Sequence, residues 1–160
     1  MKNQTNTRFL TQSGAIAAVY VLLTMLAAAL GLDSGAVQLR LSEALTILPV
    51  FTPAAVPGLF IGCLLSNLLA GGVIWDVIFG SLATLIAAIG TYLLRKKPLL
   101  AASCPVLANA VIVGLVLSLT NGWPVALTML EVGAGEVAAV ALGMLVLLPA
   151  LKRIDLTKYF

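Results

Sequence analysis

The chain has 160 residues, of which 61% are hydrophobic and only 9% charged, and its mean hydropathy is +1.13. Soluble domains carry about 25% charge, so this composition excludes a water-soluble globular protein and points to an all-α integral membrane protein, because a bilayer offers no water to satisfy an open backbone. The net charge of +3 comes from cations beside apolar runs, where they act as topology signals, and no nucleic-acid partner is implied.

Six membrane spans are predicted, in one transmembrane domain over residues 1–160. The first, 13–30, follows Lys2 and Arg8, and it is longer than a signal-peptide core and followed by further spans, so it is read as a retained helix. Gly31 to Gly35 then form a turn containing Asp33. The second span, 37–50, is the least apolar, with Gln38, Arg40, Ser42 and Glu43 in its first two turns, and such a segment cannot face lipid there. Pro49, Pro53 and Pro57 punctuate the chain, and because proline suits helix starts, the third span is placed at 53–69.

The fourth span, 74–94, stops at Arg95-Lys96-Lys97-Pro98. The fifth, 99–119, ends before the turn signal Asn121-Gly122, and the sixth, 123–151, opens on Trp123-Pro124 and closes before Lys152-Arg153. An even number of crossings puts eight of the nine Lys and Arg residues on one side. Both termini are then cytoplasmic in a multi-pass protein of the cell membrane. Arg40 is the exception.

Counting at 1.5 Å per residue places Arg40, Glu43, Asn67 and Asp76 within about three turns of the outer surface. Asn109 falls roughly 15 Å along its helix and Glu131 roughly 12 Å below Trp123, with Glu136 deeper. A charge at the centre of a span costs on the order of 2.5–3.5 kcal/mol, so these groups are expected to face a polar pocket open to the outside. Glu131 and Glu136 are about 140° apart around a helix and cannot both face one ligand; depth favours Glu131, leaving Glu136 to bind an interhelical donor or to stay protonated.

Plainer structural roles stand beside these. Arg40 and Glu43, spaced i and i+3, can pair with each other, Asp76 can complement a helix dipole, asparagines can join helices, and Trp75 and Trp123 can anchor at the interface. Cys63 and Cys104 lie in apolar runs with no histidine in the chain, which suits packing and leaves no metal site. Ser13 with Ala17, and Gly14 with Ala18, have the small-xxx-small spacing that lets helices approach, either within the bundle or against another subunit. No G-x-x-x-x-G-K-[ST], H-E-x-x-H or G-x-S-x-G motif occurs, so neither a nucleotide site nor a familiar hydrolase is read here, and no enzyme is expected.

The run Val37-Gln38-Leu39-Arg40-Leu41-Ser42-Glu43-Ala44-Leu45, with Leu48-Pro49 and Thr52-Pro53-Ala54-Ala55-Val56-Pro57-Gly58-Leu59-Phe60-Ile61-Gly62-Cys63, resembles the QueT family of queuosine-precursor transporters. Asn67-Leu68-Leu69 and the stretch from Asp76 to Leu85 fit the same pattern. The resemblance implies a substrate-binding S-component of an energy-coupling factor (ECF) transporter, a six-helix bundle with cytoplasmic termini. Implied partners are a transmembrane coupling subunit and two ATP-binding cassette subunits, which would bind the ATP; the chain itself is expected to need no cofactor.

The family's docking motif on the first helix is alanine-x-x-x-alanine, and here Gly14 and Ala18 stand in its place. The implied ligand is a 7-deazaguanine, as the nitrile, the aminomethyl compound or queuine. Its candidate contacts are Arg40, Glu43, Asn67, Asp76, Asn109 and Glu131, because carboxylates accept from a guanine-like edge and amides can match the rest. The alternatives are an S-component for another vitamin and a stand-alone carrier relaying protons through Asp76, Glu131 and Glu136.

Overall fold

The computed structural model describes residues 2–32 and 40–153. The described residues form five α-helices and one 3₁₀ helix: α1 (Lys2–Ala29), the 3₁₀ helix (Leu41–Val50), α2 (Ala55–Leu69), α3 (Ile74–Leu93), α4 (Pro98–Asn121) and α5 (Val125–Arg153). Asp33 and Gln38, and the predicted start of the second span at Val37, lie outside the described residues. α1 begins well before the expected Ser13, since residues 2–12 contain neither glycine nor proline to stop it. Its polar side chains even serve the helix, as where the Thr11 hydroxyl donates to the Thr7 carbonyl at 2.9 Å.

Only four of these helices are long and apolar enough to cross a membrane: Asn6–Ala29, Ile74–Leu93, Pro98–Asn121 and Val125–Leu151. Leu41–Val50 and Ala55–Leu69 have 10 and 15 residues, short of the roughly 20 that a hydrocarbon core of about 30 Å requires. Many large apolar side chains on the long helices are exposed, among them Leu22, Ile86, Leu107, Leu130 and Leu145, as a lipid-facing surface demands.

The segment 41–50 is not an ordinary span. It winds as a 3₁₀ helix, packs against all five α-helices, and buries seven of its ten residues. At about 2.0 Å per residue, this winding carries ten residues over about 20 Å where an α-helix would cover about 15 Å. It also brings residues three apart into line, so Glu43 follows Arg40 on one side. The least apolar segment therefore sits at the centre, where no lipid reaches it.

Close contacts at glycine set the rest. Gly58 and Gly62 of α2 lie against Ser13, Ala17 and Tyr20 of α1, so those two helices run parallel. Gly90 meets Cys104, Gly114 meets Met129 and Gly133 meets Ala110, which pairs α3 with α4 and α4 with α5 in antiparallel fashion. The ring closes where Gly143 of α5 lies on the backbone of Ala44. α1, α2 and α4 end at one pole of the bundle, opposite Arg95 to Lys97, each through a glycine at φ near +70°. At Gly71 this left-handed turn lets the Gly72 N–H reach the Asn67 carbonyl at 2.9 Å, satisfying a carbonyl the helix leaves free.

Candidate functional site

Three cavities run inward from that glycine-capped pole. A broad groove of about 860 Å³ lies between the start of α3 and the end of α4, with Trp75, Asp76, Phe79, Asn121 and Trp123 on its walls. Trp75 and Phe79 stack there, ring centroids 6.0 Å apart. Asp76 and Leu117 are shared with a second chamber of about 180 Å³, whose other walls include Tyr20, Thr24, Arg40 and Asn67. Arg40 in turn is shared with a void of about 20 Å³ formed with Glu43, Asn109, Val113, Val132 and Glu136. Glu136 stands eleven residues into α5, about 16 Å along it, so this last void lies near mid-membrane depth.

The walls are polar because each helix turns a particular stripe inward. On α1 the spacing Ser13, Ala17, Tyr20, Thr24, Ala27 repeats every three or four residues and faces the interior. Tyr20 donates its hydroxyl to Oε1 of Glu43, and Thr24 bonds the Ser42 hydroxyl at 2.9 Å, tying α1 to the 3₁₀ helix. The Thr46 hydroxyl donates to the Glu43 carbonyl at 2.6 Å. Asn67 reaches from α2 to the Asp76 carbonyl at 3.3 Å, holding the start of α3.

Four buried side-chain atoms among the described residues have no hydrogen-bond partner: Glu43 Oε2, Asp76 Oδ1, Asn109 Nδ2 and Glu136 Oε1. Each belongs to a residue lining one of these cavities. Glu43 uses one oxygen on Tyr20 and leaves the other unpaired, so the hydrogen-bonded Arg40–Glu43 pair that their spacing allows is not formed. Asp76 lies in the first turn of α3, where a carboxylate complements the helix dipole, and no side chain bonds the N-cap at Val73.

Of the residues expected from sequence, the structure brings Arg40, Glu43 and Asn109 to the innermost void and Arg40, Asn67 and Asp76 to the middle chamber. It does not bring Glu131 to any of the three cavities. The inward stripe of α5 runs through Thr128, Val132, Glu136 and Val140, in steps of four, and Glu131 falls beside it, half-buried. Glu136 takes the place at the void that depth alone assigned to Glu131. Tyr20 and Thr24 are further wall residues that sequence reasoning missed, although the three-and-four spacing of small and hydroxyl residues on α1 marks them.

The two small-residue pairs on α1 part company. Ser13 and Ala17 are buried against α2, whereas Gly14 and Ala18 are exposed, with no heavy atom within 4 Å of a Cβ placed on Gly14. Cys63 is a core residue packed with Tyr20, Leu45 and Leu59. Among the described residues no three His, Cys, Asp or Glu side chains gather to hold a metal.

Four apolar helices of spanning length define a multi-pass membrane protein. The chain belongs to the QueT family: the family model described as "QueT transporter" matches residues 10–153. It is also similar to the queuosine precursor transporter QueT of Lactococcus lactis subsp. cremoris, with 39% identity over 72 residues. That stretch is 44% of this chain and 41% of the relative, so the chain spans less than half the length of the curated relative it matches. No solved structure matches the chain.

Proposed function

We propose that the chain is the substrate-binding membrane subunit of an ECF-type importer, taking up a 7-deazaguanine precursor of queuosine through the pole opposite Arg95 to Lys97. The observation that carries this reading is the coincidence of all four unpartnered buried polar atoms with one set of connected cavities. A buried polar atom left unmatched costs about 1–3 kcal/mol, more for a charge, so four of them around one space are matched to a solute that supplies the missing partners.

A chamber of about 180 Å³ is small beside the roughly 300–1,000 Å³ of drug-sized sites, which suits a bicyclic base. The QueT name of the relative and the family membership favour the same ligand. Asp76 accepts from the ring N–H groups, Asn67 and Arg40 donate to its acceptors, and the tryptophan-lined groove admits it. Basic residues at the other pole make that face cytoplasmic, with both termini there and one transmembrane domain between them.

ATP is hydrolysed by two cassette subunits joined through a coupling subunit, for which the exposed Gly14 and Ala18 of α1 offer a close-approach face. The test is calorimetric binding of 7-deazaguanine bases to the purified chain. Glu43→Gln should weaken binding at least about tenfold, the value of a hydrogen bond to a charged group. Unchanged affinity in that variant would remove the site, and proton-driven transport by the chain alone in liposomes would replace the importer subunit with a stand-alone carrier.

A further inference from the structure

We infer that the ligand enters the middle chamber through a neck between Asp76 of α3 and Leu117 of α4, and that the half of α4 toward the glycine-capped pole is the moving jaw of this neck, hinged at Pro105. This rests on entry through that pole as proposed above and adds what sets its rate. Among the described residues, the broad groove and the middle chamber share two walls, Asp76 and Leu117, so a solute going from one space to the other passes between these side chains. The two jaws are held differently. Behind Asp76, the Asn67 amide of α2 donates to its backbone carbonyl at 3.3 Å, which fixes the start of α3. On the other side, α4 carries a proline in its interior.

Pro105 lies on the buried stripe of α4, with Ala101 one turn before it and Asn109 and Val113 after it. Having no N–H, it cannot return the ladder bond to the Ala101 carbonyl, and its ring crowds that same oxygen. The Thr91 hydroxyl of α3 takes the carbonyl over at 3.2 Å, and Thr91 and Ala101 are both fully buried. On the basic side of the proline, α3 and α4 are therefore tied, with Gly90 set against Cys104 as well. On the far side they part around the groove.

A helix weakened on its inward face yields in the plane that carries its far end toward or away from the interior. Leu117 stands twelve residues beyond Pro105, about 18 Å along the helix, so a tilt of about 10° moves it by about 3 Å. That is close to the thickness of a flat ring. A small pivot at Pro105 thus opens or shuts the neck, while the Thr91 bond keeps the base of the hinge in place.

The chain's two tryptophans report on this gap, since Trp75 at the start of α3 and Trp123 just past the end of α4 both stand on the groove. Stopped-flow tryptophan fluorescence on the full chain in nanodiscs, with 7-cyano-7-deazaguanine as the probe, gives association and dissociation rates. Pro105→Ala restores the missing N–H, and it should slow both rates at least about fivefold while affinity stays within about twofold. Leu117→Ala widens the neck and should speed both. Unchanged rates in Pro105→Ala, or affinity lost through dissociation alone, overturn the hinge, and rates unmoved by Leu117→Ala overturn the neck. The hinge is also read without ligand, from the fluorine spectrum of chain labelled with 5-fluorotryptophan. Doubled or exchange-broadened resonances of the natural chain should sharpen in Pro105→Ala; identical spectra overturn the hinge whether or not the base binds. A base that does not bind overturns the deazaguanine reading, and the neck as that ligand's route, while the hinge stands or falls on the spectrum.

Discussion

Seven residues apart on α5, Glu136 and Gly143 meet the same 3₁₀ helix in opposite ways. At Glu136 the helices leave a void and unmatched polar atoms. At Gly143 they touch backbone to backbone, and an added Cβ would collide with the Ala44 carbonyl oxygen. The difference shows how a membrane bundle can keep a polar gap open. Without a hydrophobic drive between helices in lipid, close packing at small residues holds the walls, and the gap stays open only because the adjacent seam is tight.

The largest way to break this contrast is to loosen the tight end. Gly143→Ala forces Ala44 away and should cost roughly 1–3 kcal/mol or more, seen as a lower midpoint of thermal unfolding in detergent. An unchanged midpoint would mean the seam does not hold the bundle. At the open end, Tyr20→Phe keeps the ring against Gly62 but removes the hydroxyl bonded to Glu43. Ligand affinity should then drop by about 10- to 150-fold while unfolding shifts much less, because a hydrogen bond to a carboxylate is worth about 1.5–3 kcal/mol where both groups are held. Full affinity in that variant would detach α1 from the site. The smallest effect belongs to Glu131→Gln, which should leave affinity within about twofold, since a change at a side chain outside the cavities resembles an ordinary surface substitution; a tenfold loss would restore Glu131 to the site.

Much of this is legible in the amino-acid sequence itself. The apolar runs, the proline and glycine stops and the basic loop at Arg95 to Lys97 place helix ends close to where they are found, as with 74–94 against Ile74–Leu93. The site was legible in part. Arg40, Glu43, Asn67, Asp76 and Asn109 stood out because a charge or amide in an apolar run needs a reason, and all five line the cavities. Tyr20 and Thr24 did not stand out, because tyrosine and threonine are ordinary in a membrane helix until a neighbour's carboxylate is placed beside them.

The choice between Glu131 and Glu136 shows the limit most clearly. Both lie on α5, both are equally costly in lipid, and depth along the helix is readable by counting; direction around the axis is not, because it depends on where α4 and the 3₁₀ helix lie. What the chain alone determined was its apolar, helical character and the six helices of the described residues, though not that only four of them have spanning length, since apolarity and helix-breaking act locally. Only the tertiary structure decided that residues 41–50 form a central 3₁₀ helix, that Gly14 faces out while Ser13 faces in, and that unmatched polar atoms from four helices share one interior. Those outcomes depend on the rotation of each helix against its neighbours, which glycine contacts far apart in the chain set together.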